Sequence, residues 1–303
     1  MFSLNDLRRL FALCLLSVPL AFVLPTHAAD DPDKIPEPED VEFETKDSLT
    51  VHATFYPGVL KKKSIPFLMV HGWEGNRGQF DKLAKELQKR GNAVLAIDLR
   101  GHGESLNFKG SDRKLDPSKF TLRDIDAMML DIEAGKKFLM ERNSQGELNI
   151  EALCVVAAQE GCIPAIKWTV LDWNAPQLPA YKQGQDVKAL ILFSPILSYK
   201  GANAQPALTD ASLQKNVAFY VAVGKKDPKA MTDAKRIQTA ITPFRPKDKD
   251  SGFDFQTFDT NLGGPRLVTT PGLDTLKTVL LFVKGYLVDK LDTFEWSERK
   301  RPT

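Results

Sequence analysis

Four histidines, at positions 27, 52, 71 and 102, and three cysteines, at 14, 154 and 162, are the groups in this 303-residue chain best suited to shuttle protons, attack a carbonyl or bind a metal. No H-x-x-x-H or C-x-x-C spacing joins them, so the sequence implies neither a metal centre nor a cofactor. Other groups of interest fall in four short segments, each after an apolar run. They are His71-Gly72-Trp73-Glu74-Gly75, Asp98-Leu99-Arg100-Gly101-His102-Gly103-Glu104-Ser105, Ala157-Ala158-Gln159-Glu160-Gly161 and Gly224-Lys225-Lys226-Asp227-Pro228. Gly101-His102-Gly103 lacks the rest of a dinucleotide-binding glycine pattern. Asp227 before Pro228 suits a helix N-terminus as well as it suits chemistry.

The elements that must hold these segments alternate. Val41–Thr45 and Leu49–Pro57 read as two antiparallel strands around Lys46-Asp47-Ser48. Apolar runs at 66–72, 93–101, 152–158, 187–195, 217–224 and 253–259 read as strands buried on both faces. Helical periodicity fills the gaps at 80–90, 122–143, 161–171, 230–241 and 273–291. A βαβα order implies one α/β domain over 41–291, with a doubly wound, mostly parallel sheet flanked by helices. The proline-bearing stretch Asp172 to Gln185 offers at most a minimal cap. Cys154 falls in a strand and Cys162 in the next helix's first turn, so they are expected as core thiols rather than a disulfide.

At the N-terminus Arg8 and Arg9 precede an apolar run from Leu10 to Leu24 and the small-residue exit Thr26-His27-Ala28. This pattern predicts a signal peptide over 1–28 and export to a periplasmic or extracellular space, with no stable membrane span after cleavage. Leu13 before Cys14 argues against a lipid anchor there. Residues 29–40, acidic and proline-bearing, are expected as a linker, and 292–303 as a polar, solvated tail. A net charge of +2, with 26% charged and 43% hydrophobic residues, gives no basis for a nucleic-acid partner.

Three of the segments together resemble the α/β-hydrolase family over roughly 41–291. The His71-Gly72 loop is similar to the one that supplies an oxyanion-hole N–H, here from Trp73. Asp98–Ser105 is similar to that family's D-x-R-G-H-G-x-S turn, and Ala157–Gly161 to its nucleophile elbow, G-x-S-x-G. The resemblance implies framework roles for His71, Gly72, Gly101, His102, Gly103 and Gly161, and a second oxyanion N–H at Glu160. It implies Asp227 as the triad acid. It also places Gln159, a neutral amide, at the nucleophile position and Gly264 at or near the histidine position. No histidine follows His102, so that absence does not depend on the alignment. Loss of a triad serine or histidine costs on the order of 10⁶ in turnover. The expectation is therefore a non-catalytic binding or interaction module for a small polar ligand or a protein. The alternative is a divergent esterase- or peptidase-like hydrolase, with Glu160 or Asp227 as base and His71 as a displaced participant.

Overall fold

The computed structural model describes residues 35–176, 178, 182–247 and 251–299. The expected signal segment, the linker as far as residue 34 and the last four residues lie outside them. Along the chain come β1 (Glu39–Glu44), β2 (Thr50–Tyr56), β3 (Pro66–Val70), α1 (Asp81–Gln88), β4 (Ala93–Ile97), α2 (Leu122–Ser144), β5 (Leu153–Ala158), α3 (Cys162–Trp173) and β6 (Val187–Phe193). A short hairpin follows, β7 (Ser198–Tyr199) and β8 (Ala202–Asn203), then α4 (Ala211–Asn216), β9 (Ala218–Gly224), α5 (Pro228–Ile241), β10 (Phe253–Phe258), α6 (Arg266–Thr269) and α7 (Thr275–Val283). A π-helical turn, Lys284–Val288, extends α7.

Eight strands form one sheet in the order β1-β2-β4-β3-β5-β6-β9-β10. β1 and β2 pair antiparallel, as do β2 and β4, and the remaining pairs are parallel. This is the doubly wound, mostly parallel α/β architecture with antiparallel first strands. Every residue of β3, β4 and β5 is buried, because helices cover both faces of the sheet centre. Odd and even strand positions feed two separate cores. One packs Ile132, Leu139, Ile163 and Ile166 of α2 and α3; the other packs Leu83 and Leu87 of α1 with Val279 and Phe282 of α7. From β3 the chain moves outward to β4 and later returns to β5 on the other side. The topological crevice therefore opens at the C-terminal ends of β3 and β5. Cys154 and Cys162 are buried free thiols, in β5 and at the start of α3.

Three regions depart from the sequence expectation. β1 begins at Glu39, inside the stretch read as linker, where Glu39 pairs with Phe55 and its carboxylate meets Arg142. Both ends of the Asp172–Gln185 excursion lie at the N-terminal end of the strands. Asp172, buried at the end of α3, accepts the N–H groups of Asp186 and Val187 and pairs with Lys136 of α2. Nor is the C-terminal segment solvated throughout. Arg299 is 6% exposed, in ion pairs with Glu151 and Asp186, and Trp296 donates to the Leu148 carbonyl. At β1 and in the C-terminal segment local charge suggested solvent; the partners that meet those charges come from distant sequence.

Candidate active site

The crevice is built on two strand ends. β5 delivers Gln159 with φ +48°, a left-handed conformation rare for a residue with a β-carbon. Glu160 and Gly161 follow as a short 3-10 turn into α3. The strained backbone thus falls on Gln159, not on Glu160. Gly161 is required by packing, since a Cβ there would collide with the His71 carbonyl at the end of β3. The Gln159 carbonyl accepts the Ile196 N–H at 3.2 Å, tying the turn to the segment after β6.

Around Gln159 stand two glycines from distant loops. A Cβ built on Gly72 would lie 2.9 Å from both Cβ and Oε1 of Gln159. One built on Gly264, where φ is +60°, would lie 2.8 Å from Oε1 and 3.1 Å from Cδ. The amide side chain therefore fills the space next to residue 264. It makes no hydrogen bond to any described residue.

Asp227 ends the loop after β9. Its Oδ1 accepts the Ala230 N–H at 3.0 Å and caps α5, with Pro228 in the first turn. Its Oδ2 faces Gly263, 3.4 Å from where a Cβ of that residue would sit. That same point is 3.2 Å from Oγ of Ser194, which sequence reasoning missed. Ser194 follows β6 with φ +49°, is wholly buried, and its hydroxyl lacks a partner among the described residues. The only local signal was its position at the end of a strand, before Pro195.

The oxyanion side is occupied by the chain itself. Trp73 N–H donates to Oε2 of Glu160 at 3.2 Å. The remaining cavity, lined by Gly72, Trp73, His102, Glu160 and Tyr199 among others, measures about 10 Å³. That is about what one water requires. The β7–β8 hairpin covers it. Tyr199 packs on Trp73 with ring centroids 4.9 Å apart, and Lys200 Nζ sits 4.9 Å from the Trp73 ring. The same ammonium donates to the carbonyls of Pro117 and Ser118 at 2.8 and 2.9 Å. The cover thus comes from the segment after β6, and no described residue of 172–185 lines the cavity.

His71 and His102 are buried beside this cavity with their rings 5.3 Å apart. His71 Nδ1 donates to the Gly72 carbonyl at 2.7 Å and Nε2 accepts the Leu99 N–H at 3.0 Å, a tautomer assigned from these partners. Desolvation pushes its pKa down to about 4, so the ring is neutral at pH 7. His102 Nδ1 donates to the Arg100 carbonyl at 2.9 Å, and burial lowers its pKa as well. Neither ring bonds a carboxylate or hydroxyl among the described residues. The turn holding His102 is fixed by ions. Arg100 binds Asp131 and Asp47, and Asp98 accepts from Arg77 and from the N–H of Glu104. Gly101 N–H closes the turn on the Ser105 carbonyl, and Gly103 packs on Asp98.

Among the described residues no cluster of histidine, cysteine and carboxylate suits a metal. Among the described residues the arrangement sets a positive-φ Gln159 at the turn after β5, the Asp227 carboxylate beside Gly263 and the Trp73 N–H on Glu160.

A family model described as serine aminopeptidase, S33, matches residues 63–242. The match spans the His71 loop, the Asp98–Ser105 turn, the Gln159 elbow and Asp227, and stops short of Gly264. A probable serine hydrolase of Drosophila melanogaster is 43% identical over 47 residues, 16% of this chain and 14% of that protein's length. Among solved structures, an esterase of Pyrococcus furiosus superposes with TM-score 0.60 at 17% identity, covering 83% of this chain and 92% of that one. A dienelactone hydrolase of Anabaena variabilis gives 0.58 at 13% identity, over 84% and 100%.

Proposed function

The chain belongs to the serine aminopeptidase S33 family of α/β-hydrolase fold, and from that premise we propose that it is an exported, non-catalytic member working as a binding or interaction module. The observation that carries this reading is Gln159 at the positive-φ centre of the elbow, with its amide against Gly72 and Gly264. An amide has no ionisable proton to give up and no nucleophilic lone pair at neutral pH. An oxyanion hole alone can leave a residual of about 10³–10⁴ over water. Here its Trp73 N–H already serves the carboxylate of Glu160. Export rests on Arg8, Arg9 and the apolar run before Ala28.

A divergent hydrolase would need a free base near the elbow. Glu160 is engaged by Trp73, Asp227 by Ala230, and both His71 nitrogens by backbone groups. A cavity of about 10 Å³ leaves no room for a substrate unless the β7–β8 hairpin moves. Binding through the outer surface follows more directly than binding in the old pocket.

The test is covalent. The protein is incubated with a fluorophosphonate probe that esterifies activated serines, beside an active serine hydrolase. This reading expects no labelling above heat-denatured protein. Stoichiometric labelling of one serine, Ser194 included, would overturn it.

A further inference from the structure

Another concavity lies outside the crevice. A groove of about 740 Å³ runs along α7 and is lined by Leu273, Leu276, Leu280, Leu281, Val283 and Val288. Leu281 is 59% exposed and Val288 45%. Arg90, Lys277 and Lys284 stand on its rim, with Asp274 as the one acid. Its volume and mainly apolar lining fall within the range of ligand pockets.

The apolar surface continues past the groove. Leu60 donates its N–H to the Gly91 carbonyl, beside Arg90 and Asn92 of the rim, and Val59 and Leu60 are themselves exposed. The exposed run Lys61–Lys63 follows at once. Lys61, Lys63 and Lys277 have no ion pair among the described residues, whereas Arg90 and Lys284 are paired with Glu86 and Asp289. Leu60–Lys63 and Arg90–Asn92 directly precede β3 and β4. They therefore lie at the N-terminal ends of the parallel strands, opposite the crevice. Ile35 is exposed nearby, and the Pro36 carbonyl accepts from Gln88 of α1.

We propose that this face docks on an anionic phospholipid bilayer, with an acyl chain in the α7 groove and lipid phosphates against Lys61, Lys63 and Lys277. Apolar side chains flanked by unpaired lysines match a surface of hydrocarbon beneath negative charge, and the two contributions add. Docked this way, the protein presents the crevice and the β7–β8 hairpin to the aqueous side. The inference stands whether or not the elbow is catalytic.

A local reporter tests it in the full chain. In a Cys14→Ser background, a polarity-sensitive thiol dye is placed at Leu281→Cys, or at Leu171→Cys on α3 across the sheet. Cys154 and Cys162 are buried and stay unlabelled. With phosphatidylglycerol vesicles the dye at 281 should shift to the blue, while the dye at 171 should not. Phosphatidylcholine vesicles should leave both unchanged. Lys61→Gln, Lys63→Gln and Lys277→Gln should each weaken vesicle binding about fivefold, the worth of one cation near an anionic leaflet. No shift at 281, or equal shifts at both positions, would overturn the proposal. So would a shift at 281 that grows with protein concentration in the absence of vesicles, which would make the occupant a second copy of the chain.

Discussion

Gln159 and Gly264 compete for one space: a β-carbon on Gly264 would lie 2.8 Å from Oε1 and 3.1 Å from Cδ of Gln159, so a side chain at 264 requires the amide to move. The two positions are therefore coupled. A larger residue at 264 would displace the amide that now fills its space, and a small residue at 159 would leave a void beside a glycine.

The competition is measurable as a coupling. Gly264→Ala carries a left-handed-backbone cost of about 1 kcal/mol plus an overpacking cost of about 1–3 kcal/mol. In a Gln159→Ala background only the first should persist. Urea unfolding of the four proteins should give a coupling of at least about 1 kcal/mol. Additive effects would mean that the two side chains do not compete for space.

The Glu160 carboxylate on the Trp73 N–H predicts a local signature. Glu160→Ala should speed hydrogen exchange at the Trp73 amide. Because Glu160 is only half-buried, global stability should fall by no more than about 1 kcal/mol. Unchanged exchange at Trp73 would remove the carboxylate from the oxyanion loop.

At the opposite end of the sheet, Lys136 is 2% exposed and pairs with Asp172 and Asp186. Lys136→Met should cost about 3–5 kcal/mol by stranding buried carboxylates. Lys284→Met, which removes an exposed pair with Asp289, should cost less than about 1 kcal/mol. Comparable losses would refute the burial argument.

His71 sets a pH dependence. Its folded pKa of about 4 lies below the ordinary 6.5, so the unfolded chain binds the proton more readily. The stability of the neutral ring is present above pH 6.5 and is lost as pH falls toward 4, by about 3 kcal/mol in all. His102, also lowered, acts in the same direction. Unfolding free energies at pH 7.5 and 5 should converge in His71→Gln. An equally steep fall in that variant would assign the dependence to other groups.

The fold was readable because its signals are local. Continuous apolar runs marked β3 to β6, and Gly161 stands where only a glycine clears the His71 carbonyl. The helix starting with Asp227-Pro228 announced itself by its cap. What escaped depends on contacts distant in sequence. Arg299 looks solvent-bound until Glu151 and Asp186 surround it, and Tyr199 gains meaning only when the hairpin folds onto Trp73. Ser194 has no motif of its own; its orphaned hydroxyl appears only when β6 and the Gly263 loop are side by side. The left-handed backbone at Gln159 adds what residue types alone could not, because it selects between the Gln159 and Glu160 frames.

Turnover of a short-chain nitrophenyl ester tests most directly whether Gln159 and its glycine neighbours leave any catalytic machinery. The protein should hydrolyse the ester no faster than buffer, and Glu160→Ala and His71→Ala should change nothing. Saturable turnover that either substitution abolishes would contradict the account and establish a rearranged hydrolase.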